Sequence, residues 1–125
     1  MLRSFHNPIA IRIEQHQDTY LLHWKLSDGA GGYEPGKLVL DKEKIIDKAT
    51  WDNFKTKITE IDFWNLPTNE KRFGNDGAEW ILEGKQDRQY HVVQRWSPSE
   101  HSAYFQCCNF LLDLIDIKIK KDDKY

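Results

Sequence analysis

The chain contains 125 residues, of which 39% are hydrophobic and 13% aromatic, including five tryptophans. This length and composition predict one globular domain rather than a disordered chain. The formal net charge of -2 at pH 7 provides no strong field toward nucleic acid, and no apolar run approaches the roughly 20 residues of a membrane span. We therefore expect neither a nucleic-acid-binding nor a membrane-spanning protein.

The first half of the chain predicts three strands. Ile9, Ile11 and Ile13 alternate with other residues, which is the period of a half-buried strand. A second strand at 20–27 completes a hairpin. One face of this strand carries Leu21, His23 and Lys25, and the other face carries Tyr20, Leu22, Trp24 and Leu26. A glycine-rich loop at 28–36 then leads to a short third strand at 37–41.

A helix follows the third strand. Its apolar residues recur at spacings of three and four, which place them on one helical stripe: Trp51, Phe54, Ile58 and Ile61. We expect the helix to begin at Thr50 and to end before Pro67, which cannot extend it. Residues 68–77 are polar and contain two glycines, and this composition predicts a loop.

Residues 78–84 and 90–96 predict a second hairpin, with residues 85–89 as its connection and Gly84 opposite Tyr90. This register forms three cross-strand pairs on one face: Glu83 with His91, Ile81 with Val93, and Glu79 with Arg95. The other face would gather five apolar or aromatic side chains: Trp80, Leu82, Tyr90, Val92 and Trp96. A slip of one residue would destroy both patterns.

The segment Ser97-Pro98-Ser99-Glu100 has the form of a capping box with proline at the first helical position. It predicts a second helix, largely buried, that runs to about residue 116. Residues 118–125 form a charged C-terminal tail, so the domain is expected to cover residues 1–117. The order β-β-β-α-β-β-α predicts an α+β two-layer sandwich, in which an antiparallel sheet of about five strands carries both helices on one face.

The candidate catalytic and cofactor motifs are incomplete. The segment Gly31-x4-Gly36-Lys37 is similar to a phosphate-binding loop, but Leu38 stands where serine or threonine should bind magnesium. The five histidines show no metal-binding spacing, and we expect no cofactor. Glu83 and His91 are suitable for general acid–base chemistry, but the sequence places no nucleophile beside them. A non-catalytic protein is therefore favoured over an enzyme.

The cysteines and the N-terminus predict a cytoplasmic location. Cys107 and Cys108 are adjacent, and a vicinal pair is too strained for an ordinary structural disulfide. They are expected to lie as reduced thiols on the apolar side of the second helix. The N-terminal residues lack the long apolar segment and cleavage site of an export signal. Reduced thiols without an export signal are typical of cytoplasmic proteins.

Of the five tryptophans, four fall on apolar faces and are expected in the core: Trp24, Trp51, Trp80 and Trp96. Trp64 differs, because it lies at the exit of the first helix, before the polar loop that contains Asp76. Two interpretations of Trp64 stay open. It lines a groove, or it plugs the seam between the helix and the sheet.

Three motifs in the second half form a distinctive series: Phe63-Trp64-x-Leu66-Pro67, then Asp76-Gly77-Ala78-x-Trp80-x-x-Glu83-Gly84, then Tyr90-His91-x-Val93-x-Arg95-Trp96-Ser97-Pro98. The series resembles a group of small bacterial proteins that share this order of motifs and have no established activity. The resemblance covers residues 63–98. It implies a bacterial origin and a single domain, and it implies no catalytic or binding residues.

Two functions remain open. The first is a protein-interaction module, accessory or immunity-type, that binds an unknown protein partner or a second copy through the open sheet face. That face is expected to carry Leu21, His23, Lys25, Glu79, Ile81, Glu83, His91, Val93 and Arg95.

The second function is a small-molecule-binding protein or an enzyme. Its site would lie where the loops at 29–36 and 72–77 approach the sheet edge, with four polar groups: Asp76, Glu83, His91 and Arg95. A deep apolar cavity in which these groups converge would favour this function, and a flat open sheet would favour the first.

Overall fold

The computed structural model describes residues 1–31, 33–70, 74, 76–120 and 124. It contains six strands, two α-helices and one 3-10 turn. In chain order these are β1 (Leu2–Arg3), β2 (Ile9–His16), β3 (Thr19–Ser27), β4 (Leu38–Ile46), α1 (Lys48–Glu60), the 3-10 turn Phe63–Asn65, β5 (Ala78–Gln86), β6 (Gln89–Trp96) and α2 (Ala103–Asp113). Within the described residues, neither helix is long and apolar enough to span a membrane.

The strands form two three-stranded antiparallel sheets, with orders β2-β3-β4 and β1-β5-β6. The α+β class is as expected, but the single sheet of about five strands is wrong. The β5-β6 hairpin pairs with the short strand β1, with Leu2 opposite Glu79. The amide of Ile9 donates to the carbonyl of Met1 at 3.1 Å, which links the two sheets at one corner.

Strand β4 is longer than the sequence pattern predicts, because it continues past Asp41 to Ile46. Its middle carries alternating lysines and acidic residues, which hide the strand period. The Lys44 ammonium lies 5.5 Å from the centre of the Trp24 ring on the neighbouring strand, so this side chain covers an aromatic face of the sheet. Charged residues on an edge strand also disfavour pairing with another chain.

The register of the β5-β6 hairpin differs by one residue from the expected one. Gly84 lies opposite His91 and Lys85 opposite Tyr90, so only Asp87 and Arg88 connect the strands. Asp87 has a φ of 53°, a left-handed conformation that aspartate tolerates better than most residues. The slip turns every side chain of β6 to the opposite face of the sheet relative to the prediction.

Both helices begin at caps other than the expected ones. Helix α1 starts at Lys48, because the carboxylate of Asp47 accepts a hydrogen bond from the amide of Thr50 at 2.8 Å. Helix α2 starts at Ala103, where the hydroxyl of Ser102 accepts from the amide of Phe105 at 3.1 Å. The capping-box prediction at Ser97 is therefore wrong.

Ser97 forms hydrogen bonds with the β5-β6 hairpin and does not cap α2. It has a φ of 40°, and its hydroxyl accepts a hydrogen bond from the amide of Ala78 at 3.1 Å. The amide of Ser97 in turn donates to the carbonyl of Ala78 at 2.8 Å. These two bonds close the open end of the β5-β6 hairpin.

The inner faces of both sheets and the two helices share one hydrophobic core. Its fully buried side chains are Trp80, Phe63, Leu22, Val93 and Cys107. Helix α2 supplies six buried residues, whereas α1 supplies partly buried ones such as Phe54, whose ring stacks 6.5 Å from that of Phe110. Of the four tryptophans expected in the core, Trp24 and Trp80 are buried there. The other two are not part of it: Trp51 is half-buried and stacks on Tyr20 with ring centres 5.8 Å apart, and Trp96 lies on the other side of its sheet.

Candidate functional site

The outward side of the β5-β6 hairpin forms the candidate site, and we call it the hairpin face. Cross-strand pairing puts Glu79 opposite Trp96, and the neighbouring pairs follow the same alternation. Since Trp80, Leu82 and Val93 point into the core, the residues between them point outward. The hairpin face consists of Glu79, Ile81, Glu83, Lys85, Tyr90, Val92, Gln94 and Trp96.

The centre of the hairpin face is apolar. Ile81, Val92 and Trp96 are half-buried, and none of them belongs to the hydrophobic core or to the side chains packed against it. The indole of Trp96 packs closely against the backbone of Gly77, where a Cβ atom would lie 2.8 Å from Cε2 of the indole. A hydrophobic centre on the surface of a sheet whose other side holds the core is typical of an interaction surface.

The rim of the hairpin face is polar and acidic. Tyr90 is 62% exposed, and its hydroxyl donates a hydrogen bond to the carboxylate of Glu83 at 2.8 Å. This bond raises the pKa of Tyr90 above its usual value. Glu79 adds a second carboxylate, while Lys85, opposite Tyr90, is the basic residue of this face. An exposed tyrosine beside acidic side chains suits a partner with a basic surface.

Three residues predicted on the open face point inward instead. Val93 is fully buried in the core. The Nε2 atom of His91 lies 2.8 Å from the carbonyl oxygen of Leu66, and its ring centre lies 5.2 Å from that of Phe63. The expected cross-strand pairs of Glu83 with His91, Ile81 with Val93 and Glu79 with Arg95 are therefore absent from the observed register.

Arg95, the third inward residue, fastens the segment at 66–70 to the sheet. Its Nε atom lies 3.0 Å from a carboxylate oxygen of Glu70. One terminal nitrogen donates to the carbonyls of Pro67 and Thr68 at 3.0 and 3.2 Å. The same segment covers the edge of β6, because the amide of Gln94 donates to the carbonyl of Thr68 at 2.7 Å. The contacts of Arg95 are those of a structural residue.

Trp64 fills the seam between the first helix and the sheet and does not line a groove. It is half-buried and packs against the core, with its ring centre 5.0 Å from that of Phe63. The two rings cover Gly84, where a Cβ atom would lie 2.5 Å from Cε1 of Phe63. Asp76 is exposed beside Gly77, outside the hairpin face. Of the loop at 72–77, residues 72, 73 and 75 lie outside the described residues.

The outer side of the β2-β3-β4 sheet carries the three other predicted residues of the open face, and the two polar ones, His23 and Lys25, contact carboxylates. The two ring nitrogens of His23 lie 3.1 and 3.3 Å from carboxylate oxygens of Glu14 and Glu43. Lys25 forms a salt bridge of 3.0 Å with Asp41. Leu21 lies opposite Ile45, which is 73% exposed. This surface is more polar than the hairpin face and lacks a tryptophan.

The cysteines lie in the interior as expected. Burial raises the pKa of Cys107 to about 11 and that of Cys108 to about 12. At neutral pH both therefore remain protonated thiols, which are weak nucleophiles. Tyr104 packs nearby, and its hydroxyl lies 2.8 and 3.0 Å from the backbone carbonyls of Trp80 and Val93. These groups hold α2 on the sheet.

Comparisons of the chain with protein-family models, curated proteins and solved structures find no match. The likeness to small bacterial proteins therefore stays a prediction. The function has to be inferred from the geometry of the hairpin face and from the surfaces around it.

Proposed function

We propose that this protein is a non-catalytic interaction module that binds a basic protein partner through the hairpin face. The observation that carries the proposal is the apolar centre of Ile81, Val92 and Trp96, which lies on the opposite side of the sheet from the core. An accessory or immunity-type role accords with a small domain of this kind.

The rim chemistry supports a basic partner. Glu79 and Glu83 flank the apolar centre, and the exposed Tyr90 is oriented by its hydrogen bond to Glu83. Buried aromatic anchors surrounded by polar residues dominate the binding energy of many interfaces. Carboxylates on the rim would accelerate association with a basic surface and make it sensitive to salt.

The second candidate function, a small-molecule site or enzyme, has less support from the same residues. Asp76 and Glu83 are exposed. His91 contacts the carbonyl of Leu66 and Arg95 forms an ion pair with Glu70, both on the side of the sheet opposite the hairpin face. The four polar groups named for that site therefore do not converge in one cavity. Convergence on a reacting atom is what acid–base catalysis requires.

Site-specific photocrosslinking tests the proposal. A photoreactive phenylalanine analogue at position 92, introduced in the native host, should crosslink one protein that has a basic surface. The matched control carries the same analogue at position 45, on the outer side of the other sheet, where Ile45 is also exposed. The control should not crosslink that protein.

Purified components then quantify the interaction. Val92→Asp should weaken binding of the crosslinked partner by about a hundredfold, and Ile45→Asp should leave it within about twofold, because only the first removes apolar contact from the hairpin face. Association should slow at high salt. Crosslinking from position 45 alone would overturn the proposal. Crosslinking to a second copy alone would replace it with a homodimer.

A further inference from the structure

A cleft of about 340 Å³ lies on a different part of the surface from the hairpin face. It is bounded by the turn at residues 3–7 and by the segment at 117–120, which follows α2. Apolar side chains such as Ile9, Leu26 and Ile117 contribute to its lining. A volume of this size is at the lower end of the range for small-molecule sites, which combine apolar walls with a few polar groups.

Apart from the neutral amide of Asn7, the polar side chains of this cleft are basic. Arg3, His6, Lys118 and Lys120 line it, and among the described lining residues none carries a carboxylate. Neither Lys118 nor Lys120 forms a salt bridge with a described residue, and both are exposed. Several cations around one concave space favour an anionic ligand, because their fields add inside it. Phosphate and carboxylate groups are the usual anions recognised in this way.

An exposed aromatic pair borders the same cleft. Phe5 lines the cleft, is 68% exposed, and stacks on Tyr33 with ring centres 5.3 Å apart. Tyr33 is 67% exposed, so neither ring is needed to fill the core. Exposed aromatic rings beside basic residues are suited to stacking on a planar ring of a ligand.

The backbone at Phe5 is in an unfavourable conformation. Its φ of 62° lies in the left-handed region, which a bulky residue seldom adopts. Two backbone hydrogen bonds of neighbouring residues hold the turn. The amide of His6 donates to the carbonyl of Arg3 at 3.2 Å, and the amide of Gly31 donates to the carbonyl of His6 at 2.9 Å. Strain of this kind, held by its surroundings, is frequent at ligand sites.

We propose that this cleft binds a small organic anion that carries a planar ring. The anionic group would lie among Arg3, Lys118 and Lys120, and the ring would stack on Phe5. An aromatic phosphate, such as a nucleotide, and an aromatic carboxylate share this chemistry. The site is independent of the hairpin face, and either proposal can fail without the other.

Calorimetric titration with four probes tests the chemistry. AMP and indole-3-acetate each carry a ring and an anion, adenosine carries only the ring, and inorganic phosphate carries only the anion. We expect a Kd below about 1 mM for at least one ring-bearing anion, and binding weaker by about tenfold or more for adenosine and phosphate. The ratio of AMP to indole-3-acetate distinguishes a phosphate from a carboxylate ligand. The proposal would be overturned if neither AMP nor indole-3-acetate bound, or if inorganic phosphate bound as tightly as the better of these two.

Variants locate the site. The double variant Lys118→Ala/Lys120→Ala should weaken binding of the better anion by about tenfold or more, whereas Lys85→Ala, which removes an exposed lysine elsewhere, should leave it unchanged. Val92→Asp, which alters the hairpin face, should also bind normally. Equal losses in the lysine double variant and in Lys85→Ala would show nonspecific attraction and overturn the assignment.

Phe5 provides a test that separates binding from folding. Phe5→Asn places a residue that tolerates the left-handed region at this position, so the melting temperature should not fall by more than a few degrees. Anion binding should weaken by about tenfold because the stacking surface is lost. Unchanged affinity in a folded Phe5→Asn variant would remove the ring from the proposal and overturn it in this form.

Discussion

Arg95 and Glu70 form an ion pair in which only the arginine is buried: the Nε and Oε1 atoms are 3.0 Å apart, and the side chains are 6% and 57% exposed. The guanidinium also donates to the carbonyls of Pro67 and Thr68. The arginine thus joins the segment at 66–70 to the sheet through several bonds, while the glutamate contributes one. Removal of the two partners should therefore have unequal effects.

We expect Arg95→Met to lower the free energy of unfolding by about 2–4 kcal/mol, because it removes the buried guanidinium and with it the ion pair and the hydrogen bonds that join the segment at 66–70 to the sheet. Glu70→Gln should cost about 1 kcal/mol or less, since its carboxylate is mostly in water. Urea denaturation at low and high salt measures both. Equal losses in the two variants would contradict the asymmetry, and so would a strong salt dependence of the arginine effect.

The contact of Tyr104 with the β5-β6 hairpin predicts a second stability effect. Its hydroxyl has one hydrogen to donate, and the carbonyl oxygens of Trp80 and Val93 both lie within hydrogen-bond distance of it inside the core, at 2.8 and 3.0 Å. Tyr104→Phe keeps the ring and removes this donor, so it should lower the free energy of unfolding by about 1–3 kcal/mol. Tyr90→Phe is the matched control, because that hydroxyl is exposed, and it should change stability by less than about 0.5 kcal/mol.

Alkaline pH should destabilise the fold. Burial raises the pKa of Cys107 to about 11 and of Cys108 to about 12, and it raises that of Tyr104 as well. In the unfolded chain the thiols lose their protons near pH 8.5. Above that pH the unfolded state binds fewer protons than the folded state, so stability falls as pH rises toward the folded pKa values.

Each thiol should lower the free energy of unfolding by up to about 1.4 kcal/mol per pH unit between pH 9 and 11, with the share of Cys107 falling off first as the pH nears its folded pKa of about 11. Urea denaturation across this range measures the total slope, and Cys107→Ala should reduce it by the share of one thiol. A stability that stays constant from pH 8 to 11 would contradict the burial of these groups. Reactivity of the native thiols with a small disulfide reagent at pH 7 would do the same.

The parts of the fold that follow a clear hydrophobic period could be predicted from the sequence. Alternation identified β2 and β3, and the stripe that contains Phe54 and Ile58 identified α1. The β5-β6 hairpin and α2 were predicted as well, although with another register and another helix start. The period is absent from β1 and from the second half of β4. Strand β1 has two residues, which is too short for any pattern, and the charges of β4 hide its second half. The pairing of β5 with β1 is a long-range contact that no local pattern indicates.

For the candidate site, the outward residues of β5 could be predicted from the sequence, whereas those of β6 could not. Glu79, Ile81 and Glu83 point outward as expected, because a residue on each side of Ile81 is strongly apolar. The partner strand contains two adjacent valines, so its pattern fits either face. The connection lacks an Asn-Gly or Asp-Gly pair, the usual signal of a two-residue turn. Tertiary packing therefore decides the register.

Gly84 and Phe63 should show a coupled effect on stability. A Cβ atom at position 84 would lie 2.5 Å from Cε1 of Phe63, so Gly84→Ala should cost about 1–3 kcal/mol through overpacking. Phe63→Leu makes space at that ring and should recover part of the loss when it is combined with Gly84→Ala. A double-mutant cycle by denaturation measures the coupling. Additive losses would contradict the contact.

The two valines of β6 provide a direct test of the register. Val93 is fully buried, whereas Val92 lies half-buried on the hairpin face. Val93→Asp should cost more than about 4 kcal/mol and prevent folding, because it places a carboxylate in the core. Val92→Asp should cost about 1 kcal/mol or less and retain the native circular dichroism spectrum. If Val92→Asp unfolds the protein and Val93→Asp does not, the register is the one with Gly84 opposite Tyr90, and the hairpin face as defined does not exist.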